Sequence, residues 1–224
     1  MTTLSFPTDQ SCLESGLTRL RDIVVEMGEL VDRAIGGALA GLTERDLDSC
    51  TMVIAEQARI DELQAEARDL CSAIVHLPAV TPTHLVKTTT LEYMSAELQR
   101  VGDHCVKVAE IARDLEELPN TPAMADLSTL GRLCGKQVRD ILRAVGLADP
   151  HRARFVASND NRVDTVYRRA FENLRLFKTD GEVVTLPAIR LALVARNIQR
   201  IADRVMNIAE AVVYAETGRV EAFA

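Results

Sequence analysis

Tryptophan is absent from this 224-residue chain and aromatic residues make up 4% of it, so the planar, β-favouring side chains that fill sheet cores are nearly missing. Cations are in deficit as well, with 26 Lys and Arg against 33 Asp and Glu and a net charge of −7. There is no surplus to neutralise a nucleic-acid backbone or an anionic bilayer, which argues against direct contact with either. No apolar run approaches the roughly 18 residues of a membrane span, and the first residues lack the basic-then-apolar pattern of a secretory signal. The expectation is a cytoplasmic protein that meets a membrane only through its partners.

Recognisable catalytic and cofactor devices are missing too. The sequence has no glycine-rich phosphate loop, no nucleophile elbow and no His-Glu-x-x-His element, so no enzyme activity is expected. The five cysteines, Cys12, Cys50, Cys71, Cys105 and Cys134, are odd in number and form no Cys-x-x-Cys pair. They read as small, reduced core residues rather than zinc ligands or a disulfide framework. His76, His84, His104 and His151 are scattered, and none stands three residues after a glutamate, which argues against a di-iron bundle site.

What remains is 47% hydrophobic, dominated by Ala, Leu, Val and Ile together with Glu and Arg, the composition of packed helices. Prolines 7, 78, 82, 119, 122, 150 and 187 punctuate long stretches of helical periodicity. Six helices are predicted, over about residues 12–42, 47–76, 83–118, 123–147, 150–178 and 186–217, with Thr43 to Asp46 capping the second. Helices of about 30 residues span about 45 Å, so neighbours must lie antiparallel in elongated bundles. The fold class is all-α, with one three-helix unit over 8–118 and a second over 123–218.

The two units are copies. Residues 99–110 align with 199–210 at an offset of 100, with five of twelve positions identical and two more exchanging Val for Ile. Gln99, Arg100, Asp103 and Glu110 recur as Gln199, Arg200, Asp203 and Glu210, and helix propensity alone does not place four polar residues in register. Ile60 to Leu63 aligns with Val163 to Val166 at an offset of 103.

These motifs resemble the PhoU family of phosphate-transport regulatory proteins, in which each repeat carries a segment like Leu-Glu-Arg-Ile-Gly-Asp-His-Ala followed by Ile-Ala-Glu. The matching segments here run from Leu98 to Cys105 with Val108 to Glu110, and from Ile198 to Val205 with Ile208 to Glu210. The resemblance extends over nearly the whole chain. It implies two tandem three-helix bundles and a negative regulator of phosphate uptake and phosphate-starvation signalling. The partners it implies are the ATPase subunit of a phosphate-specific ABC transporter and a sensor histidine kinase, with the chain itself a homodimer.

The family also binds metal clusters through acid-x-x-x-Asp motifs paired on neighbouring helices. The implied cations are divalent or trivalent, Fe, Zn, Mg or Mn. Carried over, the motifs read Gln57 to Asp61, Gln99 to Asp103, Asp160 to Asp164 and Gln199 to Asp203, so three of the four leading acids are glutamine here. Carboxylates four residues apart share a helix face and offer hard oxygens to a cation, whereas a glutamine carbonyl brings no charge. Lys107, one turn beyond Asp103, supplies an ammonium to the first site, while its counterpart Asn207 is neutral. Asp160, Asp164 and Asp203 are therefore the better candidate ligands and Asp61 and Asp103 the weaker, with Arg168 positioned to neutralise part of Asp164. The alternative function is metal binding or storage. Glu110 and Glu210 extend the acidic faces, and His104, about 100° around the helix from Asp103, is expected at the surface.

Overall fold

Helices begin where a side chain can satisfy amide groups that have no partner inside the helix, and four of the predicted starts carry such a device. In the computed structural model, which describes residues 9–118, 121–175, 178–179, 182–183 and 185–223, α1 spans Asp9–Glu44 and α2 spans Leu47–Val75. Asp46 caps α2 by accepting the Ser49 N–H at 2.9 Å, and its bonds to Ser49 hold the carboxyl below the usual range. Thr81 caps α3 (Pro82–Asp114) in a reciprocal arrangement with His84. Thr121 caps α4 (Pro122–Leu147), and Asp149 caps α5 (Pro150–Ser158). Proline stands at the first position of α3, α4 and α5, where its missing N–H costs nothing.

Two expectations change. Thr43 and Glu44 belong to α1, and the turn into α2 is made by Arg45, whose φ of 62° is held by guanidinium bonds to the Leu42, Leu115 and Leu118 carbonyls. The predicted fifth helix, 150–178, is broken. It stops at Asn159, whose side chain donates to the Phe155 carbonyl at 2.7 Å, and resumes as α6 (Asp160–Arg175). The polar run from Ser158 to Asn161 offers the backbone local partners that compete with the helix ladder. Lys178 lies in a short hairpin, β1 (Lys178–Thr179) paired antiparallel with β2 (Glu182–Val183), ahead of α7 (Thr185–Thr217). Gly218, at φ 67°, ends α7.

The helices α1, α2 and α3 pack on one another, and α4 packs with α5, α6 and α7. The two groups join along α1 against α4 and α3 against α7. Their apolar interiors are continuous, from Leu20, Met27, Ile60 and Leu98 to Leu127, Leu130, Ile141 and Val194. The α1–α4 seam is close because each helix offers a glycine to a leucine of the other: Gly28 receives Leu142 and Gly131 receives Leu39. Gly131→Val should therefore push Leu39 out of its seat and lower stability by about 1–3 kcal/mol, the usual range for overpacking, read from urea unfolding midpoints.

Candidate functional site

The first-repeat motif residues meet across α2 and α3. The Gln57 amide donates to Asp61 Oδ1 at 3.1 Å and to Asp103 Oδ1 at 3.2 Å, and the Gln99 amide donates to Asp61 Oδ1 at 3.1 Å. Gly102 makes room for this, since a β-carbon there would run into the Gln57 side chain. Burial, and then the neighbouring Asp61 charge, raise the Asp103 carboxyl above its ordinary range, against the pull of Lys107. Lys107 acts on Asp103 through space, as a charge rather than a hydrogen-bond donor.

A metal cluster does not fit this set. Both carboxylates already accept amide protons, and the two leading positions carry neutral amides with their N–H groups turned to the aspartates, where a multinuclear cluster needs carboxylate charge.

The second-repeat candidates are arranged differently. Asp164 lies on α6 and Asp203 on α7, two helices that pack together. Asp203, half-buried, pairs with Arg200 of its own helix at 3.3 Å. Arg168 turns to the backbone carbonyl of Asp164, a half-buried residue, at 3.3 Å. The side chain of Asp160 lies outside the described residues. Among the described residues, no group of three His, Cys, Asp or Glu side chains is placed to hold a metal ion.

The most constrained polar cluster is one that the motif reading passed over. Glu97, fully buried on α3, accepts from Arg100 of its own helix at 2.5 Å, and from Arg204 at 3.3 Å and Asn207 at 2.8 Å on α7. Two turns further along α3, His104 bonds Asn197 of α7 at 3.0 Å. At the offset of 100, Glu97 is equivalent to Asn197 and His104 to Arg204. The two helices therefore cross so that matching positions of the repeats face each other, and the seam has approximate two-fold symmetry. A sequence signal existed, since Glu97 sits three residues after buried Met94 and four before buried Val101, on the apolar stripe.

His104 is half-buried rather than at the surface, because α7 covers the side of α3 that an isolated bundle would expose. Burial lowers its pKa, and Lys107 and Arg204 add to this against the Asn197 bond and Asp103. A histidine whose folded pKa is depressed contributes stability that is present above its unfolded value of 6.5 and lost as pH falls through that value toward the folded one. His104→Gln should flatten the fall of the melting temperature between pH 7.5 and 5.5, measured by circular dichroism. An equally steep fall would contradict this assignment.

Among the described residues no helix is long and apolar enough to cross a membrane. Three cysteines, Cys50, Cys105 and Cys134, are buried, Cys71 is half-buried and Cys12 is exposed. Burial raises the Cys50, Cys71 and Cys105 thiols.

Comparison with known proteins gives a consistent picture. The PhoU domain model matches residues 24–112 and again residues 127–212, once in each repeat. The chain is 28% identical over 206 residues to the phosphate-specific transport system accessory protein PhoU homolog of Zymomonas mobilis, covering 92% of this chain and 87% of that one. It is 26% identical over 204 residues to the accessory protein PhoU of Escherichia coli, covering 91% and 84%. The crystal structure of PhoU from Pseudomonas aeruginosa superposes with a TM-score of 0.87 at 25% identity over 92% of this chain and 99% of that one. The phosphate transport system regulatory protein PhoU from Streptococcus pneumoniae, 24% identical, shares the fold with a TM-score of 0.84, covering 93% of this chain and 99% of that one.

Proposed function

Because this chain belongs to the PhoU family, we propose that it is a regulatory accessory protein of phosphate transport that acts by docking rather than by chemistry. The observation that carries this reading is the doubled family match, one per repeat, with relatives named as phosphate-transport accessory proteins. In the finer form of the proposal the chain is a negative regulator. It bridges the ATPase subunit of a phosphate-specific ABC transporter and a sensor histidine kinase on the cytoplasmic side, as a homodimer, and favours the repressed state when phosphate is plentiful.

Such a regulator must bind two states of a partner with different affinities, since a ligand shifts an equilibrium only by that difference. The fold supports this role by joining the repeats through a continuous core and the Glu97–Arg204 contact. A partner seated on one bundle is thereby mechanically connected to the other. The experiment is a calorimetric titration of the purified chain into the transporter ATPase subunit, and separately into the cytoplasmic part of the kinase. The reading expects saturable binding to both; heat changes no larger than dilution for both partners would sink it.

A further inference from the structure

One turn along α3 from Glu97, the two helices of the seam bound a cavity of about 310 Å³. Thr90 and Tyr93 line it from α3, and Asn207, Glu210, Ala211 and Tyr214 from α7. The chain after Gly218 supplies a third side and is anchored at two points. Glu221 is held in a fork by Arg154 at 2.7 and 2.8 Å. Phe223 packs on the core, and its N–H donates to Glu210 Oε1 at 2.8 Å. Val220 and Ala222, on either side of Glu221, are exposed and form only the outer rim.

The lining carries two carboxylates and no Lys, Arg or His. Arg154 matches the charge of Glu221. Glu210 is half-buried, and among the described residues it has no basic partner; the one bond it accepts, from Phe223, is neutral. Arg204 lies near enough to act on Tyr93 but is committed to Glu97. A carboxylate in a concave site, unmatched by the protein's own cations, attracts a cation from outside. Two further acceptors share the cavity. Asn207 gives its amide N–H to Glu97 at 2.8 Å, which leaves its carbonyl oxygen without a bond. Thr90 is 6% exposed, and its hydroxyl makes no hydrogen bond among the described residues, whereas Thr88 and Thr89 each donate to a carbonyl one turn back. Buried hydroxyls are as a rule bonded, so this one calls for a ligand.

We propose that the cavity binds a small organic cation, a primary ammonium on an aromatic or aliphatic body. The ammonium has three N–H donors and no acceptor, and Glu210, Asn207 and Thr90 supply three oxygens. The body lies against Tyr93 and Tyr214, whose rings attract organic cations, and against Ala211. The cavity is of the size used for small ligands. Because Asn207 also bonds Glu97, the occupant sits on the contact that joins the repeats. This site goes beyond the docking role and does not depend on it.

The probes are benzylamine and its neutral and anionic counterparts, benzyl alcohol and benzoate. Each is titrated near neutral pH into the full chain with methyl-labelled Ala, Val and Thr, followed by NMR. Benzylamine should shift the Thr90, Ala211 and Val220 methyls saturably, and benzoate should leave them in place. A hydrogen bond to a charged group is worth about ten-fold or more in affinity, so benzyl alcohol should bind weaker by at least that factor. Glu210→Gln, which keeps an oxygen for the Phe223 N–H, should cost benzylamine the same factor and leave benzyl alcohol unchanged. Thr90→Val, close in shape, should also weaken benzylamine. Circular dichroism should show both variants folded, and the comparison of the three probes on the wild type decides the matter without them. The proposal is overturned by any of three results: no saturable shift at these methyls, benzyl alcohol binding as tightly as benzylamine, or undiminished benzylamine binding to either variant. A capped Gly-Lys-Gly peptide that binds much more tightly than benzylamine would place a partner's lysine in the cavity and overturn the small-molecule assignment.

Discussion

Replacing Glu97 by alanine is expected to lower stability by about 3–5 kcal/mol, the usual cost of removing one partner from a buried ion pair. Three donors converge on this carboxylate, and Arg204 and Asn207 both come from the opposite repeat. Its removal leaves Arg204 charged in a site where its Nε already lacks a hydrogen-bond partner. For a chain of this size each kcal/mol moves the melting temperature by about 2–4 °C, so a fall of roughly 6–20 °C should be seen by calorimetry. Glu110→Ala, on the same helix but exposed, should change stability by no more than about 0.5 kcal/mol. If Glu97→Ala melts with the wild type, the seam between the repeats does not depend on this contact. Because Glu97 lies between repeats, the loss should also separate their unfolding, giving two transitions where the wild type gives one.

The second large effect is expected at the glutamine–aspartate network of α2 and α3. The double variant Gln57→Glu with Gln99→Glu exchanges two amide donors for two carboxylates facing Asp61 and Asp103. Three amide–carboxylate bonds are lost and four like charges gather where burial already raises the Asp103 carboxyl. Without metal the variant should be less stable by about 3 kcal/mol: each hydrogen bond to a charged group is worth about 1.5–3 kcal/mol, and two of the three bonds lie in exposed positions where water replaces most of the loss. A divalent cation such as Mn²⁺ should restore it, since binding at about 100 times the dissociation constant adds about 2.7 kcal/mol. In the wild type these four residues should give no such response. A wild type that gains as much from Mn²⁺ as the variant, and loses that gain in Asp103→Asn, would show that the amides do not exclude metal.

Helix positions were legible from the sequence because proline and capping residues act locally: Thr81 with Pro82, Thr121 with Pro122 and Asp149 with Pro150 each start a helix where they stand. The break at Asn159 was missed because an apolar period continues across it, from Val156 to Val163, and conceals a local hydrogen bond that ends the ladder. The doubled segment at 99–110 and 199–210 correctly marked the family. It did not disclose the contact between the repeats, because a helical period shows which face is apolar and not which helix covers it. His104 illustrates the point: its position about 100° from Asp103 predicts the surface, and α7 covers that side of α3. Gln57 and Gln99 were readable as a departure from an acidic motif, but their bonding to Asp61 and Asp103 required the two helices to be placed side by side.

If the chain acts in phosphate regulation, deletion of its gene shows it directly. Transcription from a phosphate-starvation promoter fused to a reporter should become high in phosphate-rich medium, with phosphate uptake no longer held down. Re-expression of the wild-type chain should return both to the repressed level. Reporter output and uptake that remain at the wild-type level in the deletion strain would contradict the account.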